Sequence, residues 1–362
     1  MNKKVIAVLF GGQSSEHEVS LISASTIIEN IDREKYDVIP LGITKKGNWL
    51  IYEGDVSRIK DGSWEHDGIP AIISPDASQK GIIKFSGDKT EIIHIDAVFP
   101  VLHGAWGEDG TIQGLFELAR IPYVGCGVLS SAVSMDKYYT KIIAEDFGIA
   151  QAKYIYVFEE EMNELDKFLD FSEKHLGYPV FVKPSNAGSS VGITKAADRK
   201  GLVDSINIAL KYDRKVLIEE AVSGRELECA VMGDANEVFA SAIGEIIAGA
   251  EFYDYDAKYN NSDSKTIVDA KLPDGKKEEI QELAKKVFRA VDGSGLARVD
   301  FFLEHGTNRV IFNEINTMPG FTSISMYPML MENSGIPVKE LIDRLINIAI
   351  NRKSSVRCGE EI

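Results

Sequence analysis

The opening of the chain constrains its fold most, because a short apolar run ends in two glycines and a helical pattern follows. The run VIAVLFGG (5–12) is typical of a buried strand that feeds a loop, and residues 19–31 carry apolar side chains at helical spacing. YDVIPLGIT and IDAVFPVLHG repeat the strand pattern, and GTIQGLFELAR repeats the helical one. This alternation predicts an N-terminal α/β domain built on a parallel sheet with helices on both faces.

The second half of the chain has a different texture. A long helical pattern runs from about residue 130 to 147, and longer strands of antiparallel character follow it, including RELECAVMG, EVFASAIGEI, ARVDFFLE and RVIFNEIN. A helix is expected near 275–291. These patterns predict an α+β region after the α/β domain, and 362 residues suffice for two or three domains.

Charge and cysteine content exclude several classes of protein. The formal net charge of −16 disfavours a nucleic-acid partner, since neutralising phosphates requires clustered Lys and Arg. No apolar run is long enough for a transmembrane helix, so no membrane association is expected. Cys126, Cys229 and Cys358 are too widely spaced for a metal cluster or a disulfide framework, and the expected compartment is the reducing cytoplasm.

A loop rich in Gly and Ser follows a predicted strand in VKPSNAGSSVGITK (182–195). Lys183 lies at the end of that strand, and the loop glycines allow backbone N–H groups to turn towards an anion. The segment differs from the Walker pattern and lacks the helix that follows one. It predicts a phosphate-binding loop, and the alternative is an ordinary hairpin turn.

Two later strand segments, RVD (298–300) and NEIN (313–316), carry hard oxygen ligands. Glu314 and Asn316 are two residues apart on one strand and therefore share a face, and Asp300 is expected on an adjacent strand. Such a set suits Mg²⁺ with phosphate oxygens completing its coordination. The alternative is a solvated polar face, but these carboxylates interrupt strongly apolar strands, where unpaired charges are costly.

The segment VLIEEAVSGRE (216–226) ends an apolar strand with Glu219 and Glu220, and Glu226 follows a turn. Backbone groups and a carboxylate at a strand end can recognise an adenine edge, and a further carboxylate can hold ribose hydroxyls. The alternative is a set of surface glutamates. A polar, turn-rich connection at 250–270 contains FYDYDAKY (252–259) and is interpreted as a lid or a flexible loop.

These segments together resemble the ATP-grasp superfamily. Within it, the D-alanine–D-alanine ligase family is indicated by GGQSSEHEVS (11–20), LHGAWGEDGTIQG (102–114), GCGVLSSAVSMDK (125–137), FYDYDAKY and NEINTMPGFTSISMYP (313–328). The resemblance extends from the first strand to the last helix. It implies an N-terminal domain at 1–128 that binds substrate, and a two-lobed ATP-grasp fold at 129–222 and 223–350. A polar tail at 351–362 follows.

The resemblance also implies a role for each matching residue. The catalytic set is Glu16, Ser189, Tyr259, Arg298 and Gly320, and the substrate-binding set is His103, Ser325 and Met326. The ATP-binding set is Lys137, Lys183, Ser190, Glu219, Glu220, Val222, Glu226 and Lys258. Two Mg²⁺ ions, with Mn²⁺ as a substitute, are expected on Asp300, Glu314 and Asn316.

The implied reaction uses ATP to join two D-alanine molecules through an acyl phosphate, and a lid that excludes water would protect that intermediate. The runner-up activity is that of the D-alanine–D-serine ligases of vancomycin resistance. Lys258 and Tyr259 argue against D-lactate as second substrate, and the apolar Met326 argues against D-serine. Ile324 departs from the family's common histidine. Two other functions remain as alternatives, a nucleotide-binding regulator without catalysis and a different ATP-grasp ligase.

A homodimer is expected by analogy with the family.

Overall fold

Three β-sheets organise the chain in a computed structural model, which describes residues 3–188, 190–247 and 265–352. The helices are α1 His17–Asn30, α2 Ser57–Lys60, α3 Thr111–Ala119, α4 Val128–Met135, α5 Lys137–Asp146, α6 Leu165–His175, α7 Arg199–Ala209, α8 Lys276–Ala290, α9 Met326–Asn333 and α10 Val338–Asn351. Short 3₁₀ helices span Ser63–Asp67 and Glu159–Glu164. Among the described residues, no helix combines the length and apolar character needed to cross a bilayer.

The first sheet has seven strands in the order β6-β5-β4-β3-β2-β1-β7. They are β1 Lys4–Gly11, β2 Tyr36–Ile43, β3 Trp49–Ile51, β4 Ile69–Ile73, β5 Gly81–Ser86, β6 Lys89–His94 and β7 Ala97–Val101. β1 pairs in parallel with β2 and β7, whereas β3 to β6 extend the sheet with antiparallel pairs. The predicted parallel arrangement is therefore confirmed for the centre of the sheet, and the irregular segment 51–93 extends one edge.

Both faces of this sheet are covered, as the buried run in β1 predicts. Ile6, Val8 and Phe10 pack into one core with side chains of α1 and α10. Ala7 and Leu9 pack into a second core on the opposite face, which α3 covers. Because β1 and β7 pair in parallel, their carboxyl ends lie together at one edge of the sheet. Open α/β sheets bind ligands at this edge.

The second sheet is an antiparallel layer of four strands in the order β10-β9-β11-β8. They are β8 Tyr154–Phe158, β9 Val180–Pro184, β10 Thr194–Ala196 and β11 Lys215–Glu220. Its core joins apolar residues of these strands to Leu169 of α6 and to Leu202 and Ile206 of α7.

The third sheet has five antiparallel strands in the order β14-β13-β12-β15-β16. They are β12 Gly224–Gly233, β13 Val238–Ile247, β14 Lys265–Ile267, β15 Gly295–Glu304 and β16 Val310–Asn316. Ile280, Ala284 and Phe288 of α8 pack on this sheet. The expected adjacency of the RVD and NEIN strands is confirmed, because β15 pairs with β16.

The single helix expected from about 130 to 147 is wrong, since two helices, α4 and α5, occupy this region. Asp136 between them is extended, with φ −88° and ψ 100°. Its carboxylate accepts the N–H groups of Tyr138 and Tyr139 at 3.2 and 3.4 Å, which caps α5. The apolar periodicity hides this break, and its consequence is that Lys137 begins a helix.

Candidate functional site

A cavity of about 580 Å³ lies where the three sheets meet. Most of the residues predicted for the site line it, namely Glu16, His103, Lys137, Lys183, Ser190, Glu219, Glu220, Val222, Glu226, Arg298, Asp300, Glu314, Asn316 and Gly320. Ser189, Lys258 and Tyr259 lie outside the described residues. The fold thus gathers side chains from distant segments around one volume.

One end of the cavity is formed by the edge of the first sheet. Glu16 precedes α1, and a Cβ atom at Gly104 would lie 2.5 Å from Glu16 Oε2. Gly104 has a φ of +68°, so glycine is required there both for the backbone conformation and for the approach of the carboxylate. Glu16 therefore presents a negative group beside the backbone of the loop after β7.

His103 is buried beside Glu16 and fixes the loop after β16. Its Nδ1 lies 2.9 Å from the carbonyl oxygen of Met318, and its Nε2 lies 3.4 Å from Ser23 Oγ. A carbonyl only accepts, so Nδ1 carries the proton. Burial lowers the pKa of His103 although Glu16 opposes this shift, so a neutral imidazole is favoured.

Sequence reasoning missed Glu108, which lies inside a quoted motif but received no role. Its Oε2 accepts the Gly104 N–H at 2.8 Å, and its Oε1 accepts the Met318 N–H at 3.0 Å. This carboxylate therefore joins the loop after β7 to the loop after β16. Burial, and then the charge of Glu16, raise the pKa of Glu108 to about 8.

Replacing Glu108 with Gln is expected to remove a pH-dependent loss of stability. The folded protein retains the Glu108 proton up to about pH 8, whereas the unfolded chain releases it near the ordinary pKa of 4.5. Folding therefore becomes less favourable as pH rises through that window. Urea unfolding of both proteins at pH 5.5 and 8.5 measures the effect. Equal pH slopes in wild type and variant would refute the assignment.

Two lysines and one glutamate form a buried cluster at the second sheet. Lys183 Nζ and Lys141 Nζ each lie 2.5 Å from a different carboxylate oxygen of Glu219. Burial alone would raise the pKa of Glu219, but the two ammonium groups lower it to about 2. Lys141 was also missed from the sequence, because a single lysine in a helical pattern is indistinguishable from a solvated one.

Lys137 reaches the cavity from the first turn of α5. Its Nζ donates to the carbonyl oxygen of Ala187 at 2.8 Å and lies 3.6 Å from Glu314 Oε2. Its backbone N–H donates to the Ser185 carbonyl oxygen at 2.9 Å. Lys137 and Lys183 thus bring two cations to the loop 185–193, where a polyanion would be neutralised.

The third sheet contributes the carboxylates and an arginine. Asp300 faces Glu314 across β15 and β16, so both point into the same cavity. Arg298 donates to both Asp300 oxygens, with Nε at 2.8 Å and Nη2 at 2.7 Å, and Asn316 Nδ2 donates to Asp300 Oδ2 at 3.1 Å. The neighbouring carboxylates hold the pKa of Arg298 well above its usual value although burial opposes this shift.

The donor set fits Mg²⁺ completed by substrate oxygens. Among the described residues, no three Asp, Glu, His or Cys side chains are placed to hold a metal by themselves. Asp300 and Glu314 supply two carboxylates and Asn316 supplies an amide oxygen, and phosphate oxygens complete such sites. The geometry therefore suits a cation that binds together with a phosphorylated substrate.

Ser325 and Met326 do not line the cavity, but they lie behind it. Ser325 Oγ accepts the Thr322 N–H at 3.0 Å, and a Cβ atom at Gly320 would lie 2.8 Å from that oxygen. Met326 is buried and packs against Gly244 of β13. Ile324 is exposed.

Comparison with known proteins decides the family. The family models for the D-ala D-ala ligase N-terminus and C-terminus match residues 5–126 and 143–347. The chain belongs to the D-alanine–D-alanine ligase family. A D-alanine–D-alanine ligase of Caldicellulosiruptor bescii is 52% identical over the full length of both chains. One from Acetivibrio thermocellus is 55% identical over 97% of each chain.

Solved structures of this family share the fold. The VanG D-Ala:D-Ser ligase from Enterococcus faecalis has a TM-score of 0.88 and 41% identity, covering 96% of this chain and 100% of that one. The D-alanine–D-alanine ligase from Coxiella burnetii has a TM-score of 0.84 and 35% identity, covering 96% of each chain. The expected ATP-grasp fold after an α/β domain is therefore confirmed, and so is the family resemblance.

Proposed function

We propose that this chain is an ATP- and Mg²⁺-dependent ligase that joins two D-alanine molecules to D-alanyl-D-alanine for peptidoglycan precursor synthesis. The observation that carries this proposal is that one cavity is lined by a carboxylate, two lysines and a metal-binding type of group. These residues are Glu16, Lys137, Lys183, Arg298, Asp300 and Glu314. A carboxylate for an ammonium group, cations for phosphates and oxygen ligands for Mg²⁺ are the parts that this reaction needs. Relatives that are 52% and 55% identical over at least 97% of this chain are named D-alanine–D-alanine ligase.

One end of the cavity would bind the first D-alanine, and the other end would bind ATP. Glu16 would hold the ammonium of the first D-alanine, and His103 would line the same subsite. Lys137 and Lys183 would bind the ATP phosphates, with Ser190, Lys258 and Val222 as further contacts. Glu219 and Glu220 would meet the adenine, and Glu226 would bind the ribose.

The buried Lys141 explains how Glu219 and Lys183 can separate. Glu219 forms an ion pair with Lys183. If Lys183 turns to a phosphate, Lys141 still balances the Glu219 charge at 2.5 Å. A buried carboxylate without a cation would be costly, and Lys141 avoids that cost.

The carboxylate of the first D-alanine would attack the γ-phosphate of ATP, displacing ADP and forming an acyl phosphate. The amine of the second D-alanine would then attack the carbonyl carbon of that acyl phosphate, and inorganic phosphate would leave with the amine proton. Mg²⁺ held by Asp300, Glu314 and Asn316 would neutralise phosphate charge when bound. Arg298 and the Gly320 N–H would donate to the oxyanion that develops at the carbonyl. Ser325 and the Met326 backbone would receive the second carboxylate. Tyr259 and Ser189, outside the described residues, would join Glu16 in a hydrogen-bonded set.

The number of metal ions, the compartment, the oligomeric state and the domain bounds are also proposals. We infer two Mg²⁺ ions per site, with Mn²⁺ as a substitute, and a cytoplasmic homodimer. Cys126 and Cys229 are buried free thiols, which suits a reducing compartment. The proposed functional units are residues 1–128, 129–222 and 223–350, with 351–362 as a tail. Sedimentation equilibrium tests the dimer, and metal titration in the presence of ADP tests the number of ions.

The second candidate is a D-alanine–D-serine ligase, which the similarity to the VanG enzyme favours. From the sequence, the apolar Met326 is expected to argue against it, but this side chain is buried against Gly244 and does not line the cavity, so it does not decide the second substrate. One competition assay separates the two. ATP, D-alanine, D-serine and D-lactate are supplied together, and the product is identified by mass. D-alanyl-D-alanine is expected, D-alanyl-D-serine supports the second candidate, and ADP release that does not depend on D-alanine rejects both.

A further inference from the structure

A row of three carboxylates crosses the third sheet at the floor of the cavity. Glu228 on β12 faces Asp300 on β15, and Asp300 faces Glu314 on β16. All three line the same cavity. Asp300 and Glu314 already have proposed roles in metal binding, but Glu228 has none. We refer to Glu228, Asp300 and Glu314 as the carboxylate row.

Arg298 lies between two members of this row. Its guanidinium makes two hydrogen bonds to Asp300, and its Nε also lies 3.2 Å from Glu228 Oε2. The exposed fractions of the Arg298 and Glu228 side chains are only 16% and 9%. The arginine is therefore held by two buried carboxylates from neighbouring strands.

This arrangement creates a conflict that Glu228 can resolve. Both Asp300 oxygens accept hydrogen bonds from Arg298, yet the proposed metal role needs those oxygens. A buried guanidinium that lost its only carboxylate would carry an uncompensated charge. Glu228 gives Arg298 a second partner whose position does not depend on Asp300, because it belongs to a different strand.

We propose that Glu228 is a positioning residue that retains the Arg298 guanidinium while Asp300 serves the metal, a role that rests on the proposed function. The charge of Glu228 lowers the cost of releasing Asp300, and its contact keeps Arg298 aimed at the reacting carbonyl. The carboxylate therefore has two effects, one on metal affinity and one on the rate of the chemical step.

The variant Glu228→Gln separates these effects because it keeps the size of the side chain and removes its charge. Binding of Mn²⁺ in the presence of ADP, followed by the electron paramagnetic resonance of free Mn²⁺, reports metal affinity without turnover. We expect the affinity to fall at least about fivefold, and kcat at saturating metal to fall about tenfold. The KM of the first D-alanine should stay unchanged, since Glu16 holds that substrate.

Glu245→Gln is the matched control. Glu245 on β13 forms a bidentate pair with Arg225, with both distances at 2.7 Å, on the same sheet but outside the cavity lining. The exposed fractions of this pair are 27% and 12%, similar to those of Arg298 and Glu228. This control should lower the melting temperature and leave Mn²⁺ affinity and kcat unchanged.

Three outcomes would overturn the proposal. Unchanged Mn²⁺ affinity in Glu228→Gln, an equal change in Glu245→Gln, or weakened affinity with unchanged kcat at saturating metal would each do so. If Glu228→Gln does not fold, Glu228→Asp retains the charge and should bind Mn²⁺ as wild type does; weakened binding would then reject the role. Wild-type protein that forms no dipeptide would reject the proposed function instead, and the Mn²⁺ titration would still decide the role of Glu228.

Discussion

Replacing Glu314 with Gln is expected to reduce ATP-dependent dipeptide formation by at least about a thousandfold, equivalent to about 4 kcal/mol of transition-state stabilisation. Glu314 faces Asp300 across the strand pair and lies 3.6 Å from Lys137. A carboxamide supplies one neutral oxygen in place of a charged pair of oxygens, so both the proposed Mg²⁺ and Lys137 lose an electrostatic partner. ADP release with saturating D-alanine measures the loss.

The change should leave the fold intact, because Glu314 is half-buried at the cavity and not in a core. Glu304→Gln is a suitable control, since Glu304 lies on β15 of the same sheet and does not line the cavity. Wild-type thermal unfolding of both variants, with activity lost only in Glu314→Gln, is the expected pattern. Retention of more than about a tenth of wild-type turnover would contradict the metal assignment.

Replacing Arg298 with Lys is expected to lower kcat by about a hundredfold to a thousandfold, with a much smaller change in the KM of ATP. Lysine keeps the positive charge, but it cannot reproduce the two parallel hydrogen bonds that Arg298 makes to Asp300. The group that we propose as the oxyanion donor would therefore be displaced. Steady-state kinetics with each substrate varied separately test this expectation.

Arg225→Lys provides the comparison for this prediction, because Arg225 also binds a carboxylate with two hydrogen bonds, at 2.7 Å each, outside the cavity lining. Loss of that geometry should affect stability but not kcat. A comparable fall of kcat in both variants would show that sheet integrity, and not the position of Arg298, governs the rate. A large rise in the KM of ATP with unchanged kcat would move Arg298 to nucleotide binding.

Much of the cavity could be predicted from local patterns. The apolar run ending at Gly11 and Gly12 indicated a buried strand that feeds a loop, and β1 is that strand, paired with β2 and β7. The NEIN segment indicated two oxygen ligands on one strand face next to Asp300, and the register of β15 and β16 agrees. These inferences succeeded because strand alternation and glycine conformation depend on only a few neighbouring residues.

The partners of the buried charges were beyond such reasoning. Glu108 accepts a hydrogen bond from Met318, which is 210 residues away, and Lys141 meets Glu219 from another element. The break at Asp136 was hidden because apolar spacing continues through it, while its carboxylate caps the second helix. A glutamate in a β-strand pattern such as Glu228 reads the same whether it faces solvent or an arginine.

The amino-acid sequence by itself determined the family, the strands that carry the RVD and NEIN motifs, and the shared face of Glu314 and Asn316. Only the tertiary structure decided which charges are buried together. It joined Arg298 to both Asp300 and Glu228, and it gave Glu108 two backbone donors from separate loops. The physical reason is that desolvation and pairing depend on distances between strands and loops far apart in the chain, which no local pattern encodes.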